Sequence, residues 1–307
     1  MIETSKAIRS ADNYAKIAAG AICLQDLNYI NTAFLTGMGQ YIDALTFHEY
    51  THTERFVFER VSSLRALCNM YNPAIEIIQG ESGSQSKSGG KGALWSGAWT
   101  ERKQAKQLAR HTIADLISEV KFTSYFSCVD MIEALNGTVD NKESYMDFAY
   151  FGVLSADFDE NGFATGSYAP KMSYTTLQTI CSLFAEDFEK VELPLIFCPT
   201  DSERIFGYDF SGPTIISTGF KKPNGSYAFA YWNSADLMTS EFESTISIQT
   251  AALKGDIHLI DILHGIVYKI PDTMIEQKGT DCLQFKNIPI TDYPLLLTFG
   301  DFIDNML

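Results

Sequence analysis

Hydrophobic and polar positions alternate between two periods over the first 190 residues. Short apolar runs predict buried strands at 16–22, 42–48, 74–80 and 122–129. Apolar residues at helical spacing predict helices at 2–14, 54–70, 100–119 and 174–188. In the third of these helices Thr100 is a suitable N-cap, and Leu108, Ile113 and Leu116 share one face. Strands that alternate with helices predict a parallel sheet with helical crossovers.

From about residue 191 the pattern changes to short strands separated by turns. The dipeptide Asn224-Gly225 predicts a hairpin within 212–232, and a second hairpin within 256–270 turns near Gly265. Further strands are predicted at 245–249, 283–285 and 295–299. This pattern, without a helical period, is typical of a β-sandwich. The sequence therefore predicts an α/β domain at 1–190 and an all-β domain, a C-terminal β-sandwich, at 191–307.

Composition narrows the class of protein. The 307 residues are 46% hydrophobic and 20% charged, which supports folded cores, and the net charge is −15. Such an acidic chain disfavours nucleic-acid binding, because it repels phosphate backbones. No apolar run approaches the roughly 20 residues of a membrane helix, and the first residues do not resemble a secretory signal. We expect no nucleic-acid or membrane partner.

The six cysteines are scattered and form no CxxC pair. They are Cys23, Cys68, Cys128, Cys181, Cys198 and Cys282. This pattern is typical of buried thiols in a reducing compartment rather than of zinc ligands or disulfides. The sequence therefore predicts a cytoplasmic location, no metal site and no cofactor.

Polar and aromatic residues gather where the predicted parallel strands end. The second strand ends at His48-Glu49-Tyr50, the third ends at Gly80-Glu81, and the fourth carries Phe126. In parallel α/β folds the chemistry collects at these ends. Alternation along a strand puts His48 and Tyr50 on one face and Glu49 on the other.

Glu81 is the strongest candidate for a catalytic residue, although a single Glu in a loop is more often simply solvated. It follows a buried strand directly and lies between glycines that permit a sharp turn. The residues near Glu81 favour a catalytic role for it over a solvated loop position. Polar and aromatic side chains together suit a sugar, which has hydroxyls at its rim and apolar C–H faces.

These residues resemble the second half of a retaining glycoside hydrolase of clan A, most of all the family-thirty-nine-like bacterial enzymes. The resemblance rests on His-x-Tyr at one strand end, Gly-Glu-Ser-Gly at the next, and the aromatic strand that follows. It implies a partial (β/α)8-barrel of about four β/α units, with Glu81 as the nucleophile. It also implies that Tyr50 hydrogen-bonds Glu81 and that His48, Tyr50 and Phe126 contact substrate. Residues 228–232 would belong to an accessory β-sandwich.

One departure from the family pattern bears on activity. In that clan the acid/base Glu follows an Asn, and the sequence contains no Asn-Glu dipeptide. The resemblance therefore implies that the chain corresponds to half of a barrel and lacks this residue. Retaining hydrolysis requires two carboxyl groups about 5–5.5 Å apart. We expect the partner of Glu81 to come from a second copy or another chain, from Glu49, or to be missing; Glu49 is a weak substitute, since alternation points it away.

Several other signals stay open or are set aside. Trp95 and Trp99, after Glu81, either stack on sugar rings or pin their own loop. Asp157 to Gly162 matches half of a calcium loop, but a turn is favoured because position twelve is Tyr168. The histidines at 111, 258 and 264 are expected to be surface or packing residues.

Two functions remain. The first is a retaining glycosidase acting on a carbohydrate substrate, with its barrel completed by a homodimer or a partner chain. The second is an inactive relic or a carbohydrate-binding module.

Overall fold

A computed structural model describes most of the chain. The described residues are 1–22, 26–132, 141, 146–192, 195–198, 215–238 and 241–303. Cys23 lies outside them, and the five described cysteines carry free thiols. None of the described helices is long and apolar enough to cross a membrane.

A four-stranded parallel sheet forms the first part of the described chain, in the order β1-β2-β3-β4. Its strands are β1 Ala18–Ile22, β2 Ala44–His48, β3 Glu76–Ser82 and β4 Phe122–Tyr125. The helices are α1 Ile2–Ala11, α2 Leu27–Leu35, α3 Glu54–Tyr71, α4 Glu101–Ile117 and α5 Met172–Leu183. All four predicted strands and four of these helices follow the sequence pattern, whereas α2 was not predicted. The arrangement is that of about half a (β/α)8 barrel.

One face of the parallel sheet is buried under helices. Leu45 and Ile77, fully buried on β2 and β3, pack in one cluster with Val57 and Leu64 of α3 and with Phe34 of α2. Apolar residues at helical spacing thus meet apolar residues at strand spacing. Because the four strands are parallel, their carboxyl ends lie together at one edge of this sheet.

Two small antiparallel ladders follow the parallel sheet. They are β5 Met131–Ile132 with β6 Phe148–Ala149, and β7 Leu154–Phe158 with β8 Ala164–Pro170. The turn between β7 and β8 is closed by Asp159, whose Oδ1 accepts from the backbone N–H groups of Asn161 and Phe163. The predicted turn is therefore present. Among the described residues, no three or more His, Cys, Asp or Glu side chains are grouped so that they could hold a metal ion.

The last part of the described chain holds a six-stranded and a four-stranded antiparallel sheet. The six-stranded sheet, in spatial order, is β15 Ile266–Lys269, β14 Ile257–Asp261, β18 Leu295–Phe299, β12 Tyr227–Asn233, β11 Ile215–Lys221 and β9 Glu189–Val191. The four-stranded sheet is β10 Leu195–Cys198, β13 Glu243–Ala251, β17 Cys282–Thr291 and β16 Ile275–Gln277. Short 3-10 turns lie at Met38–Gln40 and Asp272–Met274.

Both hairpins predicted from turn residues are present. β11 and β12 pair across Asn224-Gly225, and β14 and β15 pair across Gly265. Gly225 has a φ of 84°, a conformation that glycine adopts without strain. The predicted domain boundary near 190 falls inside β9, which pairs with β11. The division into two domains stays a prediction.

The six-stranded sheet is buried on both faces. On β12, Phe229 and Tyr231 point into a core shared with the four-stranded sheet, where Phe285 and Phe299 are 5.9 Å apart between ring centroids. Their neighbour Trp232 points to the other face, which α4 and α5 cover. Helix α4 therefore lies between the parallel sheet and the six-stranded sheet.

Candidate functional site

A histidine and a glutamate meet where two adjacent parallel strands end. His48 closes β2, Glu81 lies near the end of β3, and the two residues are paired in register. His48 Nδ1 is 2.9 Å from Glu81 Oε2, and the side chains are 21% and 31% exposed. The predicted gathering of polar side chains at this edge is therefore present for these two residues, within reach of solvent.

A break in strand register aims Glu81 at His48. Phe47 pairs with Gln79, but His48 pairs with Glu81, so Gly80 is an extra residue on β3. A Cβ at position 80 would collide with Thr46 Oγ1 and crowd the His48 ring, which explains the glycine there. The bulge turns the following side chain toward β2.

Tyr50 and Phe126 share one aromatic neighbour that the sequence did not single out. Phe151, only 1% exposed, lies edge-on to both rings, at 5.9 Å from Tyr50 and 5.6 Å from Phe126 between centroids. The backbone N–H of Phe126 donates to Ser82 O at 2.6 Å, and the Phe126–Ser127 peptide is cis. The two predicted aromatic residues thus belong to one cluster at the strand ends.

Glu49 faces away from this pair, as alternation predicts. Its carboxylate is ion-paired with Arg60 of α3, and the residue is 7% exposed. Burial raises its pKa, and the Arg60 charge offsets part of that increase. Glu49 is therefore engaged on the helix-covered side of the sheet.

The two tryptophans after Glu81 have different environments. Trp95 is 65% exposed, and its ring is open to solvent. Trp99 is 3% exposed, stacks on His52 at 5.8 Å, and donates from Nε1 to Leu94 O at 2.7 Å. Trp99 thus pins its own loop, and its candidacy as a substrate contact is corrected because almost none of its ring is accessible. Trp95 remains a candidate.

Buried polar side chains anchor the loop that follows Glu81. Lys171 Nζ donates to Ser86 Oγ at 2.7 Å and to Asp130 Oδ1 at 2.6 Å. Burial lowers the pKa of Lys171 and raises that of Asp130, while their mutual attraction opposes both shifts. Gln104 of α4 donates to Ser84 O at 3.0 Å. No local sequence pattern indicates these anchors, since their partners lie far apart along the chain.

Two further histidines, on α4 and at a hairpin turn, belong to other parts of the fold. His111 of α4 is 4% exposed, and burial lowers its pKa to about 4. His264, at the turn of the second hairpin, contacts Asp261, with 2.7 Å between Nδ1 and Oδ2.

A cavity of about 490 Å³ opens near this hairpin, beside Leu259, Tyr268 and Tyr293. It contains none of the strand-end residues, so it is not part of this site.

Comparison with known proteins shows that the fold is similar to those of glycoside hydrolases. No family model and no curated protein matches the sequence. The structure is similar to the catalytic domain of GH30 xylanase C from Talaromyces cellulolyticus, with a TM-score of 0.50, 11% identity, and coverage of 96% of this chain and 54% of that one. It is also similar to an endo-β1,6-glucanase, with a TM-score of 0.52, 10% identity, and coverage of 97% and 52%.

These similarities concern the fold. The chain spans about half the length of the solved structures it matches, which agrees with a partial barrel. At 10–11% identity they show the fold alone. The similar solved structures are glycoside hydrolases. The finer resemblance to the family-thirty-nine-like enzymes stays a prediction.

Proposed function

We propose that this chain is the nucleophile-bearing half of a retaining glycoside hydrolase. One observation carries the proposal: a carboxylate, Glu81, is held by His48 at the carboxyl ends of adjacent parallel strands. In barrel enzymes this edge is where the active site lies. The similarity of the fold to glycoside hydrolases supports the choice of reaction.

We propose different roles for the two oxygens of the Glu81 carboxylate. His48 Nδ1 contacts Glu81 Oε2, so a proton on Nδ1 fixes the carboxylate in one orientation. We assign Oε1 to attack the anomeric carbon, forming a glycosyl–enzyme ester while the bond to the leaving-group oxygen breaks. Water then hydrolyses this ester and regenerates the carboxylate. Tyr50, Phe126 and Trp95 are proposed to contact the sugar.

A second carboxyl group is needed to protonate the leaving group. Glu49 is a poor candidate, because it is buried and ion-paired with Arg60. We propose that the acid/base residue comes from a second copy or another chain that completes the barrel. The mechanism uses no cofactor and no metal.

The two antiparallel sheets are proposed to form a β-sandwich accessory domain, and the cytoplasm remains the proposed location.

The assignment of Glu81 can be tested without the acid/base residue. A 2,4-dinitrophenyl glycoside has a leaving group that departs unprotonated, and fluorine at C2 slows hydrolysis of the ester. We expect gluco- and xylo-configured reagents to add one sugar to the protein, with peptide mass spectrometry placing it on Glu81. Glu81→Gln should remove the adduct.

Glu76→Gln is the matched control for this experiment. Glu76 lies on the same strand at its opposite end, and its side chain is 47% exposed. This variant should be labelled like the unmodified protein. Labelling that persists in Glu81→Gln, or no adduct with any reagent of the panel, would contradict the proposal.

A carbohydrate-binding role without turnover is the second candidate, and the exposed ring of Trp95 favours it. Calorimetric titration with xylo- and gluco-oligosaccharides separates the two functions. Binding that disappears in Trp95→Ala, together with the absence of any adduct on Glu81, would favour the binding module.

A further inference from the structure

A buried glutamine lies directly behind the bulge that carries Glu81. Gln79 is fully buried on β3, two residues before Glu81. Its Oε1 accepts from the backbone N–H of Glu49 at 3.2 Å. The same N–H donates to Glu81 O at 3.1 Å. Gln79 therefore joins the end of β2 to the strand end from which Glu81 projects.

The other end of the Gln79 amide reaches helix α4. Gln79 Nε2 is 3.1 Å from His111 Nε2, and Gln107 Nε2 is 3.1 Å from the opposite ring nitrogen, His111 Nδ1. Both α4 side chains are at most 4% exposed. The imidazole thus lies between two amides. Its low pKa keeps it neutral at neutral pH, so one ring nitrogen accepts from an amide N–H and the other carries the ring proton.

Gln107 also contacts the backbone just after β2, close to the point that Gln79 contacts. Its Nε2 donates to Thr51 O at 3.2 Å. The backbone is therefore held at Glu49 by Gln79 and at Thr51 by Gln107, on either side of Tyr50. Gln79, His111 and Gln107 thus connect helix α4 to the backbone on both sides of Tyr50.

We propose that Gln79, His111 and Gln107 form a positioning clamp that holds Tyr50 and Glu81 in place from helix α4. The inference rests on the proposed function, since it concerns the same site. These three side chains do not touch the sugar; they act through the backbone at Glu49, Thr51 and Glu81. Buried amides are costly unless bonded, and the hydrogen bonds of Gln79 to Glu49 and of Gln107 to Thr51 restrain the segments they join.

The test removes the amide while keeping the size of the side chain. Gln79→Met deletes both hydrogen bonds, and His111→Leu deletes the centre of the clamp. Ile77→Val is the matched control, because Ile77 is fully buried two residues earlier on the same strand. Far-ultraviolet circular dichroism and thermal midpoints identify the variants that are folded, and Gln107→Met is a third, milder variant.

The first measurement is the rate at which the dinitrophenyl fluoroglycoside labels Glu81. A carboxylate displaced by a fraction of an ångström attacks less often, so we expect the rate constant to fall about ten- to a hundredfold in Gln79→Met. The reagent concentration that gives half-maximal labelling should change little. Ile77→Val should label at close to the original rate despite a similar loss of thermal stability.

The second measurement does not depend on catalysis. In protein labelled with ¹⁵N-histidine, the Nδ1 proton of His48 reports its bond to Glu81, and a His48→Asn variant assigns the signal. We expect this resonance to move or broaden in Gln79→Met and to stay in place in Ile77→Val.

The two measurements separate failure of the clamp from failure of the proposed function. An unchanged His48 resonance in folded Gln79→Met would overturn the clamp, whatever the labelling shows. A displaced resonance would support the clamp even if no reagent labels Glu81, a result that would contradict the proposed function alone. Where the unmodified protein is labelled, equal labelling rates in Gln79→Met and Ile77→Val would also overturn the clamp.

Discussion

Two buried groups on helix α4 have pKa values displaced in opposite directions. Burial raises the pKa of Asp115 to about 8, partly offset by a hydrogen bond from the Thr123 hydroxyl, and lowers that of His111 to about 4. In the folded protein Asp115 therefore keeps its proton up to about pH 8, whereas in the unfolded chain it loses it near pH 4. Its contribution to stability is present at low pH and is lost as the pH rises toward 8.

Asp115→Asn should flatten the stability profile at mildly alkaline pH. His111 opposes Asp115 between about pH 4 and 6.5, because the unfolded chain takes up its proton there, but above that range Asp115 acts alone. We expect the free energy of unfolding of the original protein to fall by on the order of 1–2 kcal/mol more than that of the variant between pH 6.5 and 8. Urea denaturation at both pH values measures this, and parallel profiles would contradict it.

At the scale of elements, helix α4 is the most instructive. Its apolar spacing correctly predicted a helix, and Thr100 caps it, with Oγ1 accepting from Lys103 N at 3.2 Å. The sequence also predicted one apolar face, which leaves the polar residues of α4 as a polar remainder on its other faces. In the structure the polar remainder is buried as well, because a sheet lies on either side of the helix.

Removing the cap of α4 should cost a measurable amount of stability. Thr100→Ala leaves the Lys103 N–H without its side-chain acceptor, so we expect the free energy of unfolding to fall by about 1 kcal/mol. Thr100→Ser keeps the hydroxyl and should lose much less. Chemical denaturation of the two variants provides the comparison, and equal losses would show that the cap hydrogen bond is not the cause.

Across the whole molecule, buried charges on α4 join the parallel sheet to the antiparallel sheets. Arg110 Nη2 is 2.6 Å from Glu54 Oε2 of α3, and Trp232 of β12 donates to Glu54 Oε1 at 2.7 Å. One turn earlier, Lys106 Nζ is 2.9 Å from Asp292 Oδ2, with both side chains 1% exposed. Three elements distant in sequence therefore meet at Glu54 and Arg110.

Neutralising Glu54 should destabilise the whole fold. Glu54→Gln leaves the buried Arg110 charge uncompensated, a change that typically costs roughly 3–5 kcal/mol. Glu59→Gln is the matched control on the same helix, because its pair with Arg55 is exposed and worth at most about 0.5 kcal/mol. Urea denaturation measures both, and similar small losses would mean that the buried pair is not needed.

The parts of the fold that sequence predicted are those governed by local spacing. Helix α4, the hairpin at Asn224-Gly225 and the meeting of His48 with Glu81 all follow from periodicity, turn residues and the rule that parallel strands end together. Helix α2 was missed, although Asp26 caps it through the N–H groups at 28 and 29. A single Asp before a short apolar run is a weak signal without its packing partners.

Sequence alone therefore determined the four parallel strands, four of the helices, the two hairpins and the candidate carboxylate. Tertiary structure decided which polar groups are buried: Trp99 pins its loop, Glu49 pairs with Arg60, and Gln79 reaches His111. Periodicity is a property of neighbours along the chain, so a short window suffices to detect it. The burial and bonding of a polar side chain depend on residues brought from far away, and only the folded chain supplies them.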